Sequence, residues 1–247
     1  MEKFKDKVVV ITGGNSGIGY AAAKEFKSQG ATVVITGKRE DALHKAAQEL
    51  EVTGKLADQA NLQDIKRLAG EVRALNNQVD VLFINAGVAF FAPIEYTTEE
   101  QFDAMTDINF KGSFFTLQQF IPLLSDGASV IFVTSNSTAM TMPGSSVYAA
   151  GKSAVGHLAK IAAKELAPRK IKVNTVNPGP TQTEMIGKFG FDEATLKGMT
   201  ESILAQMPLA KIGTAEDVAK MVAYLADNST SSFITGAEFF IDGGLAV

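Results

Sequence analysis

Cysteine and tryptophan are absent from this 247-residue chain, and histidine occurs twice, as His44 and His157. Without cysteine there are no disulfides, no thiolate nucleophile and no thiolate metal centre. Two histidines and no cluster of carboxylates leave no expected metal site and no serine–histidine triad. A large charge of one sign is also missing: the net charge is −4, which argues against a general nucleic-acid or membrane-surface binder. No apolar run approaches the ~20 residues of a membrane span. The opening MEKFKDKVVV runs directly into a strand pattern rather than a secretion signal, so a cytoplasmic protein is expected.

Hydrophobic residues make up 46% and charged residues 20%, an ordinary globular balance. Short β-branched runs alternate with longer helical patterns. Val8 to Thr12, Thr32 to Thr36, Val79 to Asn85, Val130 to Ser135, Val173 to Asn177 and Ala237 to Ile241 read as strands, with Leu56 to Asp58 a weaker seventh. Several lack polar alternation, as strands covered on both faces do. Helical patterns fill Ile18–Ser28, Arg39–Leu50, Leu62–Leu75, Thr98–Leu123, Val147–Ala167 and Ala215–Ala226. The expected fold is α/β: a Rossmann-type, doubly wound, seven-stranded parallel sheet with helices on both faces, one domain over 1–247. Pro178 to Met207 breaks the rhythm with no strand and many apolar residues, among them Met185, Ile186, Phe189, Phe191, Leu196, Met199, Ile203 and Leu204. At the carboxyl edge of a sheet such an insertion reads as a substrate-binding lid, about 180–210.

The first strand is followed by Thr12-Gly13-Gly14-Asn15-Ser16-Gly17-Ile18-Gly19 and then a helix. Glycines permit the tight turn and close backbone approach that a pyrophosphate needs, and the helix offers N–H groups and a positive dipole end. Within a first βαβ unit this reads as a dinucleotide site. An acid at the end of the second strand would take the ribose 2′-hydroxyl of NAD(H). Here stand Thr36-Gly37-Lys38-Arg39, two cations that suit a 2′-phosphate, so NADP(H) is expected over NAD(H).

Tyr148 and Lys152 lie four apart at the start of a helical pattern, on one face. A neighbouring ammonium and an oxidised nicotinamide would both favour phenolate, making Tyr148 a base for an alcohol or, protonated, an acid for a ketone oxygen. Ser135 ends the fifth strand, where its hydroxyl can hold the same oxygen.

With these motifs in order, the chain resembles the short-chain dehydrogenase/reductase family, in its single-domain branch of about 250 residues, essentially end to end. Thr12 to Gly19 is similar to its T-G-x-x-x-G-x-G, Asn85-Ala86-Gly87 to its N-A-G, Tyr148 and Lys152 to its Y-x-x-x-K, with Ser135 at the family spacing before the tyrosine. Pro178-Gly179 with Thr183, and Asp242-Gly243-Gly244, resemble its later motifs. The resemblance implies Tyr148 as acid/base, Ser135 as orienting group, and Lys152 as a ribose contact that lowers the tyrosine pKa. It implies Asn109 as holder of a relay water, Thr183 and the backbone near Thr181 as carboxamide contacts, and Asp58 as an adenine contact. A homotetramer is implied as well. Asp58-Gln59 departs from the family's usual D-V.

The expected activity is NADP(H)-dependent hydride transfer between nicotinamide and a mostly apolar ketone or secondary alcohol. Phe90, Phe91, Met140 and Met142 supply the pocket wall. A 3-oxoacyl-carrier-protein reductase is the alternative, and a non-catalytic NADP-sensing protein a distant one. Arg169, Lys170 and Lys172 read as a solvated edge that an acidic carrier would use. Glu99-Glu100 reads as a helix start beside Thr97-Thr98.

Overall fold

In the computed structural model the described residues are 2–76, 78–182 and 193–247. Seven parallel strands form one sheet: β1 (Val8–Ile11), β2 (Thr32–Gly37), β3 (Thr53–Leu56), β4 (Val79–Ile84), β5 (Leu124–Val133), β6 (Lys172–Pro178) and β9 (Glu238–Ile241). Their order is β3-β2-β1-β4-β5-β6-β9. The chain winds outward from β1 to β3, then crosses back to place β4 on the other side of β1. That reversal is the switch point, at whose carboxyl edge open α/β sheets bind their ligands.

Strand alternation explains the unbroken apolar runs. Val9 and Ile11 point to one face, packed with Phe26 of α1 (Gly17–Ser28), Leu43 of α2 (Glu40–Leu50) and Val222 of α8 (Ala215–Ala226). Val10 points to the other, with Leu68 of α3 (Leu62–Asn76), Leu117 of α5 (Gly112–Phe120) and Val155 of α6 (Ser146–Glu165). Both faces are core, so neither needs polar residues. The helix starting at α4 (Glu99–Met105) is capped as expected: Thr98 Oγ1 accepts from Gln101 N, and Gln101 returns the bond to Thr98 N.

Four expectations are corrected. The weak strand lies at Thr53–Leu56, not Leu56–Asp58; its register pairs Val34 with Thr53 and Gly37 with Leu56. As an edge strand that is only half covered, it needs little apolar character, so hydrophobicity was a poor guide. The helix expected over Thr98–Leu123 is interrupted by a π turn at Thr106–Lys111. The stretch expected to hold no strand contains β7 (Thr181–Gln182), paired with β8 (Gly213–Thr214). Lys172 is not solvated. It is 5% exposed, its Nζ donating to Leu225 O at 2.9 Å, Ser231 O at 3.3 Å and Ser231 Oγ at 2.7 Å. Carbonyls at the end of α8 can replace water around the amine, a pairing no local pattern records.

Candidate active site

The loop after β1 is built by contact as much as by backbone freedom. Gly13 and Gly17 have φ of +64° and +54°, the left-handed region that side chains disfavour. A Cβ on Gly19 would press on the Gly13 carbonyl and lie 2.6 Å from Asn85 Nδ2. A Cβ on Gly37 would lie 2.5 Å from Asn15 Oδ1. Ser16 is the N-cap of α1 but makes no side-chain cap bond, so the first turn leaves its N–H groups facing the loop. Ile18 and Gly19 continue that turn.

The N-A-G segment is fastened to this loop. Asn85 Nδ2 donates to Thr12 O at 3.0 Å and Gly13 O at 3.1 Å, while Thr12 Oγ1 accepts from Asn85 N and Ala86 N at 3.0 and 3.1 Å. Four hydrogen bonds thus tie together the loops across the switch point. A dinucleotide fits this cradle: glycine backbone lies where any Cβ would collide, beside an uncapped helix start. Lys38 and Arg39 are exposed at the end of β2, with no carboxylate between them and the strand. Asp58 is half-buried after β3, and its Oδ1 accepts from Ala60 N at 3.0 Å.

Ser135 follows β5 by two residues and is 8% exposed. Its Oγ accepts from Ser137 N at 3.1 Å within a single 3₁₀ turn. Tyr148, in the first turn of α6, has Ser135 near enough to ease its ionisation. Its ring meets Phe91 edge-on at 5.7 Å, and Lys152 Nζ lies 5.9 Å from its centroid. Phe91 sits on a loop tied down by Ala92 N donating to Gly144 O at 2.9 Å. Phe90 points elsewhere, into a shallow cleft with Thr97, Gln101, Met105 and Val147.

Lys152 is 4% exposed, and its Nζ donates to Val133 O at 2.9 Å. Burial lowers its pKa from 10.5 to about 8. Burial also raises the Tyr148 phenol above its usual 10, although the Ser135 hydrogen bond opposes this. The expected phenolate therefore does not follow from the protein's own groups. Removing water from the phenol outweighs what the neighbours give back.

Asn109 lies in the π turn, where the extra residue turns its side chain inward. Its Oδ1 accepts from Val88 N and its Nδ2 donates to Val88 O, both at 2.9 Å, and Ser113 Oγ donates to its carbonyl at 2.6 Å. An ideal Cβ on Gly87 would lie 3.1 Å from Asn109 Oδ1 and 3.3 Å from Lys152 Nζ. Glycine there keeps the space between those groups open. Pro178 ends β6, Gly179 N donates to Ile241 O at 3.0 Å, and Thr181 Oγ1 donates to Gly179 O at 2.9 Å. Thr183, Met185, Ile186, Phe189 and Phe191 lie outside the described residues, so the lid expectation rests on sequence there. His44 and His157 are exposed, and no metal-holding cluster occurs among the described residues. No described helix is long and apolar enough to cross a membrane.

Sequence reading missed the Thr12 tie, the Ser113 bond to Asn109 and the Val133 carbonyl beneath Lys152. Only the short-range Ser113–Asn109 pair, four apart on a helix, left a trace that could have been read.

The family described as enoyl-(acyl carrier protein) reductase matches residues 13–246. The 3-oxoacyl-[acyl-carrier-protein] reductase FabG of Thermotoga maritima is 34% identical over 99% of this chain and 100% of its own. The NADP-dependent (R)-specific alcohol dehydrogenase of Lentilactobacillus kefiri is 32% identical over 98% of each. The solved Pseudomonas aeruginosa RhlG/NADP active-site complex superposes with a TM-score of 0.91 at 27% identity, over 98% of this chain and 97% of the other. Sheet order, glycine loop and end-to-end identity agree: this chain belongs to the short-chain dehydrogenase/reductase family of nicotinamide-dependent oxidoreductases.

Proposed function

We propose that the protein is an NADP(H)-dependent oxidoreductase that interconverts a mostly apolar ketone and its secondary alcohol. The observation that carries this reading is that Ser135, Tyr148 and, one turn on, Lys152 are gathered beside the glycine loop. Gly13, Asn15, Ser16, Gly17, Ile18 and Gly19 would hold the pyrophosphate, and Asn85, Ala86, Gly87, Pro178, Gly179, Thr181 and Thr183 would shape the nicotinamide end. Asp58 would meet the adenine. Lys38 and Arg39 would take the 2′-phosphate by charged hydrogen bonds; the relatives named for NADP support that choice.

When bound, the cofactor supplies or accepts a hydride at the substrate carbon. In reduction, Ser135 Oγ and the Tyr148 hydroxyl donate hydrogen bonds to the carbonyl oxygen. As that oxygen becomes an alkoxide, Tyr148 releases its proton to it, giving the alcohol. A phenol held above its ordinary pKa is in the donating form at neutral pH, which favours reduction there. Oxidation needs the phenolate and so strengthens as pH rises. Lys152 would contact the nicotinamide ribose, and Asn109 would hold a water that completes the proton path. Phe91, Met140 and Met142 make the substrate wall apolar. Assembly as a homotetramer is consistent with Phe102 and Phe114, which are 50% and 39% exposed on the π-turned helix pair.

The FabG relative favours a second reading, reduction of a carrier-linked 3-oxoacyl group. The basic edge that a carrier would use is weakened, since Lys172 is buried and Arg169 is paired with Asp126 at 2.9 Å. One assay separates the readings: oxidation of NADPH against NADH over ketones, diketones and acyl thioesters, with Tyr148→Phe as control. Turnover on ketones that needs NADPH and vanishes in the control is expected. Preference for NADH would overturn the cofactor assignment, preference for thioesters the substrate, and a fully active control the chemistry.

A further inference from the structure

Behind Ser135 runs a hydrogen-bonded chain to the protein surface that none of the roles above uses. Thr138 Oγ1 donates to Ser135 O at 2.9 Å, closing the 3₁₀ turn that carries the serine. The same Thr138 Oγ1 accepts from Asn177 Nδ2 at 3.2 Å. Asn177 lies at the end of β6, is 0% exposed, and has no other way to satisfy its amide than through its neighbours. Its Nδ2 also donates to Glu238 Oε2 at 3.2 Å, and its Oδ1 accepts from Thr175 Oγ1 at 2.8 Å. Glu238, on β9, closes the chain with Lys160 of α6, Nζ to Oε1 at 2.5 Å.

We infer that Asn177, oriented by Glu238, is a positioning residue for Ser135, fixing the turn from which the serine hydroxyl reaches Tyr148. The inference rests on the function proposed above. Its physical basis is direction. Glu238 is held ionised, with Lys160 beside it keeping its carboxyl below the usual range. A carboxylate accepts only, so it must face the amide NH₂ and not the amide oxygen. That choice turns the second N–H of Asn177 to Thr138, so the threonine hydroxyl must accept there and spend its own proton on Ser135 O. One surface ion pair thereby sets the sense of each bond down to the turn. Four elements meet in the chain, β6, β9, α6 and the turn after β5, so the serine is referenced to rigid parts of the sheet.

Two variants test this without adding charge near Tyr148: Asn177→Leu, which removes both donors, and Glu238→Gln, which removes the carboxylate but keeps a hydrogen-bonding group. Each is compared with the parent in three measurements. These are NADPH affinity from the cofactor's own fluorescence, kcat and KM on the best ketone, and the phenolate absorbance titration of Tyr148, taken as a difference from the Tyr148→Phe background. Asn177→Leu is expected to lower kcat about tenfold with NADPH affinity unchanged. It also moves the Tyr148 midpoint to higher pH, because the Ser135 contact that favours phenolate is weakened. Lys152, the charged group nearest the phenol, is untouched in both variants.

For Glu238→Gln, loss of a negative charge alone would make Tyr148 ionise more easily and lower its midpoint. A weakened Ser135 contact raises it, with a fall in kcat of about threefold. A lowered midpoint, or a kcat within about twofold of the parent for Asn177→Leu, overturns the inference. So does a fall in kcat with the phenol midpoint unmoved, since that is what loosened packing alone would give. Should Asn177→Leu not fold, the sign of the Glu238→Gln shift decides. A parent with no ketone turnover defeats the proposed function instead, and the phenol titration still reports on Asn177.

Discussion

Lys152 is expected to destabilise the fold it serves. Its amine is 4% exposed and its pKa falls from 10.5 to about 8 through burial alone. The Val133 carbonyl, at 2.9 Å, compensates in part. That shift costs the charged form about 3 kcal/mol relative to the unfolded chain. Below about pH 8 the amine is protonated folded and unfolded, and the whole cost is present. Between about 8 and 10.5 the folded chain has released the proton while the unfolded chain keeps it. The unfolded state then binds more protons, so stability rises with pH across that window. Lys152→Met removes the charge at nearly constant length but leaves the carbonyl unpaired, at a loss of about 1 kcal/mol. The variant should be more stable than its parent by about 2 kcal/mol at neutral pH, and the gap should shrink above about pH 8 and reverse, by about 1 kcal/mol, beyond the ordinary lysine range. Urea unfolding followed by circular dichroism, at equal protein concentration over a pH series, measures the difference directly. A variant less stable than its parent at neutral pH, or a gap that does not change with pH, would refute the reasoning. Turnover should be lost in the same variant, so that stability and activity part company.

Two further perturbations follow from local geometry. Gly19→Ala drives a Cβ into the Gly13 carbonyl and toward Asn85 Nδ2; it should cost about 1–3 kcal/mol in thermal or urea unfolding and weaken NADPH binding, whereas Gly151→Ala, with nothing within 4 Å of its Cβ, should stabilise α6 by about 0.5–1 kcal/mol and leave NADPH affinity as it was. Phe91→Ala removes the ring edge-on to Tyr148 at 5.7 Å; bulkier ketones should gain in kcat/KM relative to small ones, and an unchanged ranking of ketones by size would show that Phe91 does not bound the pocket.

The parts of the site legible in the sequence are those whose chemistry demands particular residues at short, fixed spacing. Gly13 to Gly19 must leave room for backbone, and Tyr148 and Lys152 must share a helix face; both requirements are local and both appear as pattern. The sheet was legible for a related reason, since a strand covered on two faces, such as Val8–Ile11, has no choice but continuous apolar residues. What escaped is set by partners far along the chain. Lys172 looks like any surface lysine until the end of α8 comes to meet it, 53 residues away. Thr53–Leu56 is a strand because β2 offers it a free edge, not because Gly54 or Lys55 prefers one. The π turn at Asn109 is a backbone event inside a sequence that reads as helix throughout. Asn177 and Glu238 are 61 residues apart, and nothing short-range marks either as belonging to Ser135.

Burial acts on Tyr148 and Lys152 in opposite directions along the pH scale, and this gives the pair a sense that neither residue has alone. In water a tyrosine gives up its proton slightly before a lysine does. Here the phenol is pushed above 10 and the ammonium down to about 8, so the order is inverted. The same loss of water causes both shifts, because phenolate and ammonium are each the charged form. A Tyr148 that has just given its proton to a carbonyl oxygen is then a stronger base than Lys152. Proton return from the lysine side is downhill wherever a hydrogen-bonded path joins the two. The space kept open at Gly87, between Asn109 Oδ1 and Lys152 Nζ, lies on the lysine side of such a path. Reduction is therefore reset by the fold's own desolvation, and oxidation must wait for a positive charge near the phenol or for a higher pH.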